Sequence, residues 1–330
     1  MHMNRRSLQR RRTGHRGQRG FSLIEVMIAV AITAIMMVVV TQSLSGVMRW
    51  YGKATTIHAL TQLQDDLTQA YSENMTVAEE SSGAVLSLDN GDISPTSITA
   101  ARRCTSSAST FSAASTYLDM SLGKAYLDGF NVPLCVLITP QESFVANGVT
   151  LYYHTVAIVS TGSSGVLNAS TALSDDGTLT LGGDNMGVVI NGRTIAEHQF
   201  TLTRTRMENV VQALQSYFQG RFQASTSPST AIDYFGTSSG SSTWDTDGAL
   251  PVTSGGAMNT SSTYYQTLGL AAQDVTDPYG QSFYLDNASS SVRSPSNSDS
   301  SMNSAPPWSA RIYTTLPGNV SYVQSAVGTY

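Results

Sequence analysis

A chain of 330 residues with 41% hydrophobic content can build one large domain or two compact ones, which excludes wholesale disorder. Only 12% of its residues are charged, about half the usual share for a soluble globular protein. Ser, Thr, Asn and Gly fill the deficit, a composition suited to exported chains rather than to a cytosolic enzyme. The net charge of −5 conceals two populations: seven arginines and no acid in residues 1–20, then 11 basic against 23 acidic residues, a balance of −12. The basic stretch is short and adjoins an apolar segment, so no nucleic acid is expected as a partner.

Residues 21–40 read FSLIEVMIAVAITAIMMVVV, with Ser22, Glu25 and Thr33 as the only polar members. A helix of that length spans about 30 Å, the hydrocarbon thickness of a bilayer. Arginines precede it and none follows until Arg49, so the positive-inside bias predicts a cytoplasmic N-terminus and an extracytoplasmic remainder. Glu25 is anomalous, because a carboxylate among apolar residues costs several kcal/mol unless it is paired or interfacial. A secretory signal peptide places its small-residue cleavage site after the apolar run. Here Gly20 stands before it, directly after Arg19.

The run Gly20-Phe21-Ser22-Leu23-Ile24-Glu25-Val26-Met27-Ile28-Ala29 resembles the prepilin peptidase site and N-terminal helix of type IV pilins and type II secretion pseudopilins. The resemblance covers residues 14 to about 50. It implies cleavage between Gly20 and Phe21, N-methylation of the Phe21 amine, and assembly through the apolar helix with other pilins or pseudopilins on an inner-membrane platform. It also implies that Glu25 pairs with the amine of a neighbouring subunit, opposite charges attracting strongly in a low-dielectric bundle. Snorkelling of Glu25 to the lipid headgroups is the plainer alternative.

After the span, Leu44, Val47, Met48, Tyr51, Leu60, Leu63, Leu67, Ala70 and Tyr71 recur at helical spacing with polar residues between them, and no proline interrupts residues 21–80. One helix from about Ser22 to Thr76 is predicted, with Gly46 and Gly52 as places for it to bend. Strand patterns follow at Val85–Leu88, Pro133–Ile138, Leu151–Val159, Leu179–Leu181 and Gly187–Ile190. Asn191-Gly192 reads as a hairpin turn that pairs Val188–Ile190 with Thr194 and Ile195. Cys104 and Cys135 are the only cysteines. In an oxidising compartment a bridge between them is expected to stabilise by about 3–4 kcal/mol, the alternative being two free buried thiols.

Residues 204–225 form a second amphipathic helix carrying Met207, Val210, Val211, Leu214, Tyr217, Phe218 and Phe222 on one side. Asp277-Pro278-Tyr279-Gly280-Gln281-Ser282-Phe283, further on, is similar to the soluble part of major pseudopilins, in which a calcium loop can follow. Asp286, Asn287 and Asp299 offer oxygen ligands here, but the loop lacks clustered carboxylates and EF-hand spacing. No metal or cofactor is therefore expected, and Asp277 is expected to cap a turn with Pro278. Gly236-Thr237-Ser238-Ser239-Gly240 and Ser121-Leu122-Gly123-Lys124 satisfy hydrolase patterns, yet the first lacks a following helix and the five histidines are scattered.

The expectation is an α+β protein in four parts: a leader (1–20), an N-terminal helix (21–80, spanning at 21–40), a first β-rich pilin head (81–203) and a second, pseudopilin-like module of helix and Ser/Thr-rich strands without a membrane helix of its own (204–330). It is a structural, minor pilin-like subunit and not an enzyme, with prepilin peptidase, other pilins, the assembly platform and membrane lipid as partners. The alternative is a membrane-anchored adhesin that does not polymerise.

Overall fold

The computed structural model describes residues 22–80, 101–174, 176–235, 256–259, 262–286 and 308–330. The chain is α+β and divides into two compact units, residues 1–51 and 52–330. The expected strand at Val85–Leu88 and the Gly236–Gly240 motif lie outside the described residues.

Helix α1 runs Leu23–Glu80, four residues past the expected end, and contributes to both units. Its one non-helical residue is Asn74 (φ −109°, ψ 15°). Asn74 Nδ2 donates to Ala70 O (2.8 Å) and Tyr117 Oη (3.0 Å), so the side chain takes up the acceptor that the distorted turn frees.

In the larger unit, a one-turn helix α2 (Leu122–Ala125) leads to β1 (Cys135–Ile138), the ribbon β2–β3 (Glu142–Ala146, Val149–Tyr153), β4 (Thr155–Ser160), the ribbon β5–β6 (Ala172–Leu173, Leu179–Thr180) and β7 (Met186–Asn191). The antiparallel sheet β1-β4-β7 has β4 at its centre. All six residues of β4 are buried. Val156 and Ile158 face the core with Leu60, Leu63, Leu67 and Tyr71 of α1, while Ala157 and Val159 face a second layer with Cys135, Leu137 and Leu167. The apolar run Leu151–Val159 therefore holds two strands and not one. His154 interrupts it, donating its backbone N–H to Tyr71 Oη (2.9 Å) instead of to a ladder.

Asn191-Gly192 does not form the expected hairpin. Asn191 Oδ1 accepts from Thr194 N (3.1 Å), capping helix α3 (Gly192–Ala224), which starts twelve residues before the predicted one. Gly192 is glycine because its backbone lies against His154 O, where a Cβ would clash, and not because a turn needs it. The hairpin turn is at Asn147-Gly148, both at positive φ, closing β2–β3 with Ala146 opposite Val149.

Ala196 and Phe200 of α3 join the first core; Met207, Val210, Leu214 and Phe218 form a second. The 203/204 boundary thus falls inside one continuous helix. After α3 come β8 (Gly256–Ala257), α4 (Ser262–Thr267), β9 (Tyr284–Asp286), β10 (Ser309–Leu316) and β11 (Val320–Val327), in an antiparallel sheet ordered β11-β10-β9-β8. Its inner face closes the second core with Leu285, Ala310, Ile312 and Ala326.

Candidate functional site

Gly20 and Phe21 lie outside the described residues, which begin one residue later. Ser22 O accepts from Glu25 N (2.9 Å) and Val26 N (3.2 Å), starting α1 and placing the Glu25 carboxylate in its first turn, where unpaired N–H dipoles favour a negative charge. Glu25 shares one face with Val26, Ala29, Val30, Thr33 and Ala34. Thr33 hides its hydroxyl by donating to Ala29 O (2.7 Å), leaving a methyl outward. Among the described residues none forms an ion pair with Glu25.

Every residue from Ser22 to Tyr51 is exposed, including Leu23 at 81% and Met37 at 70%. A helix apolar on all sides has no solvated face, so in water it would leave its whole surface unsatisfied. It is long and apolar enough to cross a membrane.

At Gly52 the same helix changes character. The Phe130 ring lies where a Gly52 side chain would be, and the buried Thr56 hydroxyl donates to Gly52 O (2.8 Å) while accepting from Gly129 N (3.0 Å). Towards its other end, Glu79 is 4% exposed and collects donors from three residues. His154 Nδ1 lies 2.9 Å from Oε2, Gln141 Nε2 donates to Oε2 (3.0 Å) and to the backbone carbonyl (2.8 Å), and Tyr71 Oη donates to Oε1. Burial pushes the Glu79 carboxyl up, but these hydrogen bonds outweigh it and hold it below its ordinary value. Burial, then the Glu79 charge, push the Tyr71 hydroxyl well above its ordinary value, so it stays a donor. This cluster latches the end of α1 to the sheet; it was not foreseen, since its members are up to 83 residues apart.

Cys104 and Cys135 form the disulfide, with Cα atoms 5.1 Å apart, tying the segment that precedes α2 to β1. Ser121 caps α2 through its carbonyl, and Lys124 is exposed on that single turn. His58 and His198 are exposed and His154 is spent on Glu79. Asp286 ends β9, while Asn287 and Asp299 are outside the described residues, among which no group of three metal-ligating side chains occurs. Asp277 caps its turn as expected, Oδ1 accepting from Tyr279 N (3.0 Å) and Gln281 N (2.8 Å).

The prokaryotic N-terminal methylation motif matches residues 15–41, and this motif is typical of type IV pilins and pseudopilins, whose precursors prepilin peptidase processes. No curated protein and no solved structure matches the chain.

Proposed function

We propose that this chain is a minor, pilin-type structural subunit of a type IV pilus or a related secretion pseudopilus. Prepilin peptidase cuts after Gly20, the new Phe21 amine is methylated, and residues 21–40 hold the protein in the inner membrane with the larger unit outside. The observation that carries this reading is the coincidence of the methylation motif with a helix that is apolar from Leu23 to Val40 but for Glu25 and Thr33, and that is exposed on every side up to Tyr51. Lipid covers such a helix before assembly, and the helices of other pilins cover it afterwards. A plain anchor needs neither a glycine before the span nor a carboxylate inside it. Glu25 supplies the counter-charge to the Phe21 amine of a neighbour, and this pairing sets the axial register of the bundle.

Mass spectrometry of the mature N-terminus tests the reading. Methylated Phe21 is the expected terminus, and Gly20→Val should leave full-length protein in the membrane, because a recognition pocket at that backbone position excludes a branched side chain. Normal maturation of Gly20→Val would overturn it. A mature chain that is never recovered with filaments would favour the non-polymerising adhesin.

A further inference from the structure

The larger unit contains the same arrangement twice. In the first, Asp128 Oδ1 accepts from Phe130 N (2.8 Å) and Val132 N (2.9 Å), and Oδ2 accepts from the Ser160 hydroxyl (2.6 Å). In the second, Asp277 Oδ1 accepts from the amides two and four residues on, and Oδ2 accepts from the Thr314 hydroxyl (3.0 Å). The backbone agrees bond for bond: Asp128 N to Val132 O and Asp277 N to Gln281 O, Asn131 N to Asp128 O and Gly280 N to Asp277 O, Leu134 N to Tyr126 O and Phe283 N to Val275 O. Asn131 and Gly280, at the same place in each loop, both have positive φ.

The hydroxyls are equivalent by register. Ser160 follows Val159, the partner of Cys135; Thr314 follows Tyr313, the partner of Tyr284; Cys135 and Tyr284 each stand seven residues after their aspartate. Both loops feed the first strand of an antiparallel three-strand array, β1-β4-β7 and β9-β10-β11. The helices match as well. Buried Thr56 donates to Gly52 O and buried Thr203 to Gln199 O (2.9 Å), and at the same spacing Leu60, Leu63, Leu67 and Tyr71 correspond to Met207, Val210, Leu214 and Phe218.

The second copy sits on a defined part of the first. Gln199, the counterpart of Gly52, hydrogen-bonds through Nε2 to Ser72 Oγ of α1. Tyr279, the counterpart of Phe130, is buried in the first core. The Gln199–Ser72 contact places the step between copies at twenty residues of helix, about 30 Å. The end of the first copy around Tyr71 and Ser72 is one part of the seat of the second, and β3 is another, with Tyr152 against Gly318. The equivalent end of the second copy, around Phe218 and Gln219, carries Tyr330 (43% exposed) packed edge-on against Phe218 and half-buried Phe222, with Gln219 exposed beside them.

We infer that the larger unit is a tandem repeat of one helix-and-meander head, and that the Gln219–Phe222–Tyr330 end of its second copy is the docking surface for the head of another pilin-type subunit. That head seats there as the second copy seats on Ser72. The inference rests on the assembly reading above: a subunit whose Glu25 has a neighbour to pair with also needs a place for that neighbour's head.

The disulfide leaves no free cysteine among the described residues, so one added thiol reports one position. The full-length chain carrying Gln219→Cys, assembled with its host's own filament subunits and treated with a short thiol-to-amine cross-linker, is expected to give several-fold more adduct with another pilin than the same chain carrying Thr205→Cys on the exposed middle of α3. Phe222→Ala added to Gln219→Cys should reduce that adduct while the chain still copurifies with filaments. Equal adducts at the two positions in filament-incorporated protein would overturn the docking surface and leave the assembly reading standing. Absence of every variant from filaments, with mature protein in the membrane, would overturn both.

Discussion

The two halves of α1 are one helix by backbone and two objects by surface. Residues 22–51 expose every side chain, whereas Gly52–Glu80 buries Thr56, Leu60, Leu63, Leu67, Ala70, Tyr71 and Met75 on a stripe facing a sheet. Each half also carries a glutamate in apolar surroundings, with opposite provision: Glu25 has no ion-pair partner among the described residues, and Glu79 has three donors within its own unit. A buried charge must be matched by the fold that buries it. The half whose carboxylate has no ion-pair partner among the described residues is the half that, in the proposed function, takes its surroundings from other molecules.

The sharpest way to break this contrast is to remove the two carboxylates separately. Glu79→Ala leaves the His154 ring and the Tyr71 hydroxyl without their acceptor and should cost about 3–5 kcal/mol of stability, read by urea unfolding of the purified chain in detergent. Glu25→Ala should leave that unfolding curve and leader cleavage unchanged, while cross-linking to other pilins falls. Because the folded pKa of Glu79 is held below its unfolded value of about 4.3, its contribution is complete above that value and is lost as pH falls through the lower folded pKa. Glu79→Gln should flatten the acid limb of the stability profile, and an unaltered acid limb would remove Glu79 from the latch.

The disulfide belongs to the folded half alone. Cys104→Ser should lower stability by about 2–4 kcal/mol and reduce accumulation, with no effect on membrane insertion. Alkylation of unreduced protein should find no free thiol at Cys104 or Cys135.

The smallest effect comes from a matched pair of glycines. A Cβ on Gly52 would fall 2.5 Å from Phe130 Cε1, so Gly52→Ala forces the ring to move and should cost about 1–3 kcal/mol. Nothing lies within 4 Å of the same atom on Gly46. Gly46→Ala should therefore leave the melting temperature of the larger unit in place. If both glycines tolerated alanine equally, the change of environment at Gly52 would lose its support.

The methylation motif was legible in the sequence because its signals are local. A basic leader, Gly20, Phe21, Glu25 and an unbroken apolar run are a matter of spacing along the sequence, which no distant residue alters. The amphipathic faces of α1 and α3 were legible for the same reason, helical periodicity being a property of adjacent turns. Tertiary structure alone decided what Asn-Gly pairs do. Asn147-Gly148 turns a hairpin since β3 folds back on β2, while Asn191-Gly192 caps a helix since β7 has its partner in β4 and the chain must pass close to His154 O. It decided as well that Glu79 meets His154, 75 residues away, and that Asp128 and Asp277 each find a hydroxyl on a strand still to come. The repeated loop was half visible: the aspartate and the aromatic two residues on recur, but Asn131 stands for Gly280 and Pro133 for Ser282. What the two copies share is a pattern of backbone hydrogen bonds, and many residue types satisfy such a pattern equally well.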